Sequence, residues 1–377
     1  MRLNSLAALL LVGGLIFAAG CSSDSDSDSS GNTTQLQVEI TPDGCSPAVI
    51  DTKAGPTTFV VTNKGAAAVD EFEVLDGDRV LGEAENVAPG LTGKFTLNLK
   101  AGTYTTYCPG GKTTEKGVLN VTGDGAAAPS DPDLDAALQK YDDYVTDQVG
   151  QLVAAVKDMR DAIGAGSVDQ ARAKYIAARP YYERIEPVAE SFGDLDPAID
   201  ARADDAGPEA LTGFHRIEYG LWEKNSTDGL KEVADQLVKD VETLQSRIPD
   251  FEYDALAIAN GAVDLLGEVT SSKITGEEER YSHIDLIDFQ ANVDGAREAF
   301  TALQAALAKR QPDLAKTLET EFANVYAALS GYKTASGYVL YTDLKESDTR
   351  LLAQKIDALG EPLSEMAEAI SQPPKAN

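Results

Sequence analysis

The hydrophobic residues of this chain change period once, and that change limits it to two kinds of structure in series. Up to about residue 124 they alternate: Leu36, Val38 and Ile40; Phe95, Leu97 and Leu99; Leu119 and Val121. Successive side chains of a strand point to opposite faces, so a period of two marks half-buried strands. Phe59-Val60-Val61 adds a β-branched run. Turn clusters lie between these stretches, among them Pro42-Asp43-Gly44, Asn63-Lys64-Gly65, Asp76-Gly77-Asp78 and Lys100-Ala101-Gly102. Short strands at such spacing predict a β-sandwich over 35–124. After a linker at 125–132 the steps become three and four. Leu138, Tyr141, Val145, Val149, Leu152, Val156, Met159 and Ile163 form one stripe, which stops at Gly164 and Gly166. Later stripes run from Leu230 to Ile248, from Ile284 to Leu307, from Leu314 to Val325 and from Leu351 to Ile370. No strand signal of comparable strength follows residue 133, so 133–377 is expected to be an all-α helical bundle. Ser167 with Gln170 reads as a capping box, Pro180 and Pro187 as kinks, and Pro208 suits a first helical turn.

The N-terminus reads as a targeting segment. Arg2 precedes an apolar stretch, Leu6 to Phe17, that is too short for an ordinary membrane span. It ends in Ala18-Ala19-Gly20-Cys21, which is similar to a bacterial lipoprotein signal at 1–20 with Cys21 receiving the lipid. The Ser/Asp run that follows, 21–34, cannot bury a core and reads as a tether. The expected location is therefore outside the cytoplasmic membrane, lipid-anchored in the cell envelope. Asp plus Glu number 62 against 32 Lys plus Arg, a net charge of -30. So acidic a surface repels nucleic acid and anionic headgroups and favours cations. For most of these carboxylates, solubility is explanation enough.

Two cysteines remain, Cys45 and Cys108, and in an oxidising compartment a disulfide is the default reading. The alternative joins them with Glu71 and Glu73 in a second metal site, since i and i+2 on a strand share a face. With Phe72 and Val74 turned to the core, Glu71 and Glu73 are expected to face outward at a rim. Blue-copper electron transfer is excluded on ligand count. Such a site needs two histidines and usually a methionine near its cysteine. There is no histidine before His215 and no methionine between Met1 and Met159.

The chain has only two histidines, and one lies in Gly213-Phe214-His215-Arg216-Ile217-Glu218. On a helix, positions i and i+3 lie on one face about a turn apart, so one imidazole and one carboxylate can reach a common point. That is how a helix supplies two ligands to an ion. A hydrogen-bonded core histidine is the plainer alternative, and an isolated His-x-x-Glu is a weak signal. For His283 with Asp285 and Asp288 a capping or network role is expected, and for Tyr219, Leu221 and Trp222 packing.

Four segments carry a family resemblance: Tyr182 to Pro187, Leu195 to Arg202, Gly213 to Glu218 and Tyr281 to Asn292. They resemble the imelysin-like domain of the EfeO family, the extracytoplasmic component of a bacterial iron-uptake system. Cys45, Val69 to Leu75, Asn86 to Gly90 and Gly102 to Cys108 resemble the cupredoxin-like domain that precedes it. The resemblance implies two packed helical halves and a metal-binding protein that hands iron to a membrane permease (EfeU-like), beside a haem-dependent peroxidase (EfeB-like). It implies that acidic residues on preceding segments complete the site of His215 and Glu218: Glu183 or Glu186, and Asp200 or Asp204. Hard ferric iron suits such carboxylate donors; ferrous iron, zinc and copper are the other ions the donor set could take. Imelysin-like domains are also classed with peptidases, which makes a metal-dependent peptidase the alternative function. Against it, the chain has no His-Glu-x-x-His and no evident Gly-x-Ser-x-Gly.

Overall fold

The structure, a computed structural model, describes residues 34–77, 79–123, 131–202, 210–251, 254–335 and 337–374. Cys21, Asp204 and Pro208 lie outside them. The N-terminal part is a sandwich of two sheets, each built on the alternation described above. Strands β1 (Thr34–Thr41), β2 (Gly44–Ser46), β4 (Gly55–Asn63) and β7 (Thr92–Leu99) form one sheet in the order β2-β1-β4-β7. Strands β3 (Val49–Lys53), β5 (Phe72–Asp76), β6 (Arg79–Ala84), β8 (Gly102–Tyr107) and β9 (Lys116–Thr122) form the other, in the order β3-β9-β8-β5-β6. β1 pairs parallel with β4, and β3 with β9. Inward side chains such as Ile40, Phe59, Val74, Phe95 and Leu119 make the core, with Phe59 and Phe95 stacked at 4.8 Å.

Cys45 and Cys108 are joined in a disulfide, their Cα atoms 6.0 Å apart. Disulfide sulfurs are not thiolates, so these residues are not ligands of a second metal site. The outward placement expected of Glu73 is also corrected: only 8 % of it is exposed. β5 is an inner strand, and Tyr107 of β8 and Glu83 of β6 stand beside Glu73 on either side.

The described residues that follow are mainly helical: α1 (Pro132–Gly164), α2 (Val168–Glu183), α3 (Leu195–Asp200), α4 (Gly213–Glu218), α5 (Leu230–Arg247), α6 (Ala255–Ser271), α7 (Asp285–Arg310), α8 (Pro312–Ser330), α9 (Glu346–Leu363) and α10 (Met366–Ser371). α1 packs on α2, α5 and α7, and α6 packs on α7, α9 and α10. Asp131 caps α1 by accepting from the N–H groups of Asp133 and Leu134, and Asp254 caps α6 in the same way. Ser167 stands at the N-cap of α2, but its side chain makes no capping bond there. Pro180 lies within α2, which runs on to Glu183, and Pro187 lies in a 3-10 segment, Glu186–Phe192. One small hairpin, β10 (Lys333–Thr334) with β11 (Gly337–Tyr338), interrupts the helices; its strands are too short for an alternation to register. Among the described residues no helix is long and apolar enough to cross a membrane.

Sandwich and bundle pack through α6. The Asn260 amide donates to the Thr96 carbonyl of β7 at 2.9 Å and accepts from the Thr96 N–H at 3.4 Å. A Cβ on the neighbouring Gly261 would stand 1.8 Å from the carbonyl oxygen of Pro187, so only glycine lets α6 approach the 3-10 segment this closely.

Candidate metal centre

Polar side chains from seven stretches of chain converge where apolar packing would be expected. α2 contributes Arg179 and Glu183, the 3-10 segment Glu186, and α3 its last residue, Asp200. α4 contributes His215 and Glu218. A turn after α6 contributes Lys273, and the run before α7 contributes Glu278 and Glu279. The first two turns of α7 add Asp285, Asp288 and Asn292.

Gly213 sets α4 against α3. Its φ is +61°, in the left-handed region, and a Cβ there would lie 1.9 Å from the carbonyl oxygen of Ile199. The Thr212 hydroxyl donates to the Ala198 carbonyl at 3.0 Å. The end of α3 and the start of α4 are thus held together, and Asp200 and His215 with them. α4 continues into a π turn, Tyr219–Glu223, an irregularity frequent at functional sites.

His215 and Glu218 meet as the helix spacing requires, on the Nδ1 side of the ring. Glu218 faces Nδ1 at 3.3 Å, and its Oε1 accepts the backbone N–H groups of Tyr281 and Ser282, both at 2.7 Å. It orients the ring, as the carboxylate behind a metal-bound histidine does. The other nitrogen, Nε2, lies 3.4 Å from Asp200 Oδ1 and 3.5 Å from Glu278 Oε1, is buried, and makes no hydrogen bond. Donors bound to one ion at about 2.1 Å, at angles between about 90° and 109°, stand about 3.0–3.4 Å apart. The two distances from Nε2 are close to that spacing, and ligand atoms of Asp200, His215 and Glu278 all lie within 4.8 Å of one another.

Charge supports the same reading. Eight carboxylates (Glu183, Glu186, Asp200, Glu218, Glu278, Glu279, Asp285 and Asp288) share this site with Arg179, Lys273, His215 and the half-buried Arg202. Arg179, fully buried, pairs with Glu183 and Asp200, reaches Glu278 and Glu279 at 3.0 Å, and stacks over the Phe214 ring. Buried anions need compensating charge, and where it falls short they hold protons. Burial and the neighbouring carboxylates push Glu186, Glu279 and Asp288 well above the usual carboxylate range. Burial lifts Asp285 to about 7 and Asp200 to about 6. Burial would also raise Glu278, but Lys273, His215 and Arg202 outweigh it and hold Glu278 well below the ordinary value. For His215, burial favours the neutral ring, yet Glu218, Glu278 and Asp200 more than offset it and lift the imidazole to about 10. The site is short of positive charge, which a bound cation would supply.

Access is from a cleft of about 290 Å³ between sandwich and bundle. Its carboxylates are Glu85 from the sandwich side and Glu186, Asp196, Asp200, Asp264, Glu268 and Glu278 from the bundle, with Arg202 beside them. Converging charge of one sign along low-dielectric walls raises the local concentration of cations.

The imelysin family model (peptidase M75) matches residues 137–366, and the cupredoxin-like domain model matches residues 9–121. The iron uptake system component EfeO of Escherichia coli K12 is 41 % identical over 340 residues, 88 % of this chain and 90 % of that protein. Its namesake in Shigella flexneri matches to the same extent. This chain belongs to the EfeO family. Among solved structures, auracyanin A, a blue copper protein from Chloroflexus aurantiacus, covers 24 % of this chain at 16 % identity, with a TM-score of 0.22 too low to carry an argument.

Of the residues expected at the EfeO-family site, His215, Asp200, Glu183 and Glu186 come together and Glu218 stands behind the ring. Sequence reasoning missed Arg179, Lys273, Glu278, Glu279 and Asn292, and gave Asp288 only a capping or network role. A signal existed: Arg179, Glu183 and Glu186, like Asp285, Asp288 and Asn292, recur at helical steps and mark a polar face. In the sandwich, Glu71, Glu73 and Glu83 form a separate carboxylate group. There burial, reinforced by Glu73, raises Glu71 to about 8.

Proposed function

We propose that this protein captures iron outside the cytoplasmic membrane, anchored by lipid on Cys21, and delivers it to a membrane permease of the EfeU kind beside an EfeB-like peroxidase. The observation that carries the reading is the buried Nε2 of His215, within 3.5 Å of Asp200 and Glu278, two carboxylates that line an acidic cleft. Iron is the cargo. Two carboxylates and one imidazole are a donor set that a hard ferric ion accepts. The cleft gathers cations, Asp200, His215 and Glu278 receive one, and Glu218 keeps the ring turned toward it. That the relatives are iron uptake system components supports iron over zinc or copper.

The test is iron(III) affinity of the purified protein against a competing chelator. His215→Ala and Glu278→Gln are expected to weaken it at least 100-fold. Glu218→Gln, which disturbs only the ring's orientation, is expected to cost about 10–100-fold. Unchanged affinity in His215→Ala would sink the reading. The peptidase label of the imelysin model motivates a second reading. Casein hydrolysis that requires metal and disappears in His215→Ala would favour it.

A further inference from the structure

Beside the metal position just described lies an oxygen cage that already holds a cation. The Lys273 ammonium is 1 % exposed. Its Nζ lies 2.9 and 2.8 Å from the two oxygens of Glu186, 3.2 Å from Glu183 Oε2 and 3.4 Å from Asn292 Oδ1. Glu278 Oε2 follows at 3.6 Å and Glu268 Oε2 at 3.9 Å. An ammonium has three protons to donate, and six oxygens surround this one. Six oxygen donors are the complement of an octahedral metal ion. Glu183, Glu186 and Asp200 can each offer one oxygen to a common point, their ligand atoms all within 4.8 Å of one another.

Glu278 joins this cage to the first position. Its Oε1 faces His215 and Arg179, and its Oε2 faces Lys273 and Arg202. A carboxylate with one oxygen toward each of two neighbouring cation positions is a bridging ligand in form. Helical bundles that hold two ions build them from such inward-facing carboxylates.

We propose that Lys273 is a tethered cation that fills a second metal position and so limits the bundle to one cargo ion. The inference rests on the cargo-site reading above. A fixed positive charge across Glu278 also repels the ion at Asp200 and His215, which suits a site that must give up what it binds. A second divalent ion in place of the ammonium would instead make a closed two-ion centre.

Lys273→Met keeps the length of the side chain and removes its charge. The probe is Mn²⁺, with bound equivalents counted from the free-ion EPR signal. Lys273→Met is expected to bind one equivalent more than wild type, with the broadening of two coupled ions. Lys273→Met/Glu186→Gln is expected to return to the wild-type number, and Lys273→Arg to keep it. A folded Lys273→Met that binds no more Mn²⁺ than wild type overturns the proposal. If Lys273→Met is unfolded without metal, Mn²⁺ should restore its helical circular dichroism, because the ion replaces the missing charge; failure to restore it also overturns the proposal. The two readings fail separately. Wild-type Mn²⁺ binding untouched by His215→Ala counts against the cargo site, whatever Lys273→Met does.

Discussion

Gly213→Ala tests the geometry of the centre without touching a candidate ligand. Two costs can be worked out. An L side chain at φ +61° costs about 1–2 kcal/mol. The new Cβ would also start 1.9 Å from the Ile199 carbonyl oxygen. An ordinary contact needs roughly 3.4 Å, so α4 must retreat from α3 by about 1.5 Å. A retreat along the line between them would carry the separation of His215 Nε2 and Asp200 Oδ1 from 3.4 Å to about 5 Å. Two donors at about 2.1 Å from one ion can stand at most about 4.2 Å apart, so one is lost to the ion. The expected result is a loss of stability of about 2 kcal/mol or more, a fall in melting temperature of several degrees, and iron(III) affinity reduced on the order of 100-fold. Circular dichroism melts and chelator competition read the two effects. Gly360→Ala is the control: nothing beyond its own stretch of helix lies within 4 Å of its new Cβ, and alanine favours helix. If Gly213→Ala melts and binds iron like wild type, the contact between α3 and α4 does not set the site.

Asp131 shares a mostly buried ion pair with Arg310 at the start of α1. Burial raises its pKa, but Arg310 and the N–H groups of Asp133 and Leu134 outweigh that and hold it below the ordinary value. A depressed folded pKa gives stability that is present above the unfolded value, about 3.9, and is lost as pH falls through the folded one. Asp131→Asn, which can still cap, should therefore lower the urea midpoint by the equivalent of about 1–3 kcal/mol at pH 7. Near pH 2 the difference from wild type should shrink; an equal difference at both pH values would refute the ion-pair account. Asn260→Ala leaves the buried Thr96 N–H and carbonyl without their side-chain partner. It should cost about 1–3 kcal/mol and speed hydrogen exchange at the Thr96 amide, while protection equal to wild type would show that α6 does not fasten the sandwich there.

Much of this protein was legible along the chain. The alternation of Leu36, Val38 and Ile40 and the three- and four-residue steps from Leu138 to Ile163 place the sandwich before the bundle, because strand and helix each impose their own period on whatever they bury. His215 and Glu218 were also readable as neighbours, since three residues of helix bring them to one face whatever surrounds them. Which nitrogen faces which carboxylate was not. Glu278 lies far along the chain from His215 and in no helix, and it reaches Nε2 only because α4 and the run before α7 meet in the folded chain. Glu73 likewise looked outward from its own strand and is covered by Tyr107 and Glu83 of the neighbouring strands. Local periodicity specifies the elements and which face of each is buried. The assembly of a charged site from seven stretches depends on long-range packing, and only the tertiary structure decided it.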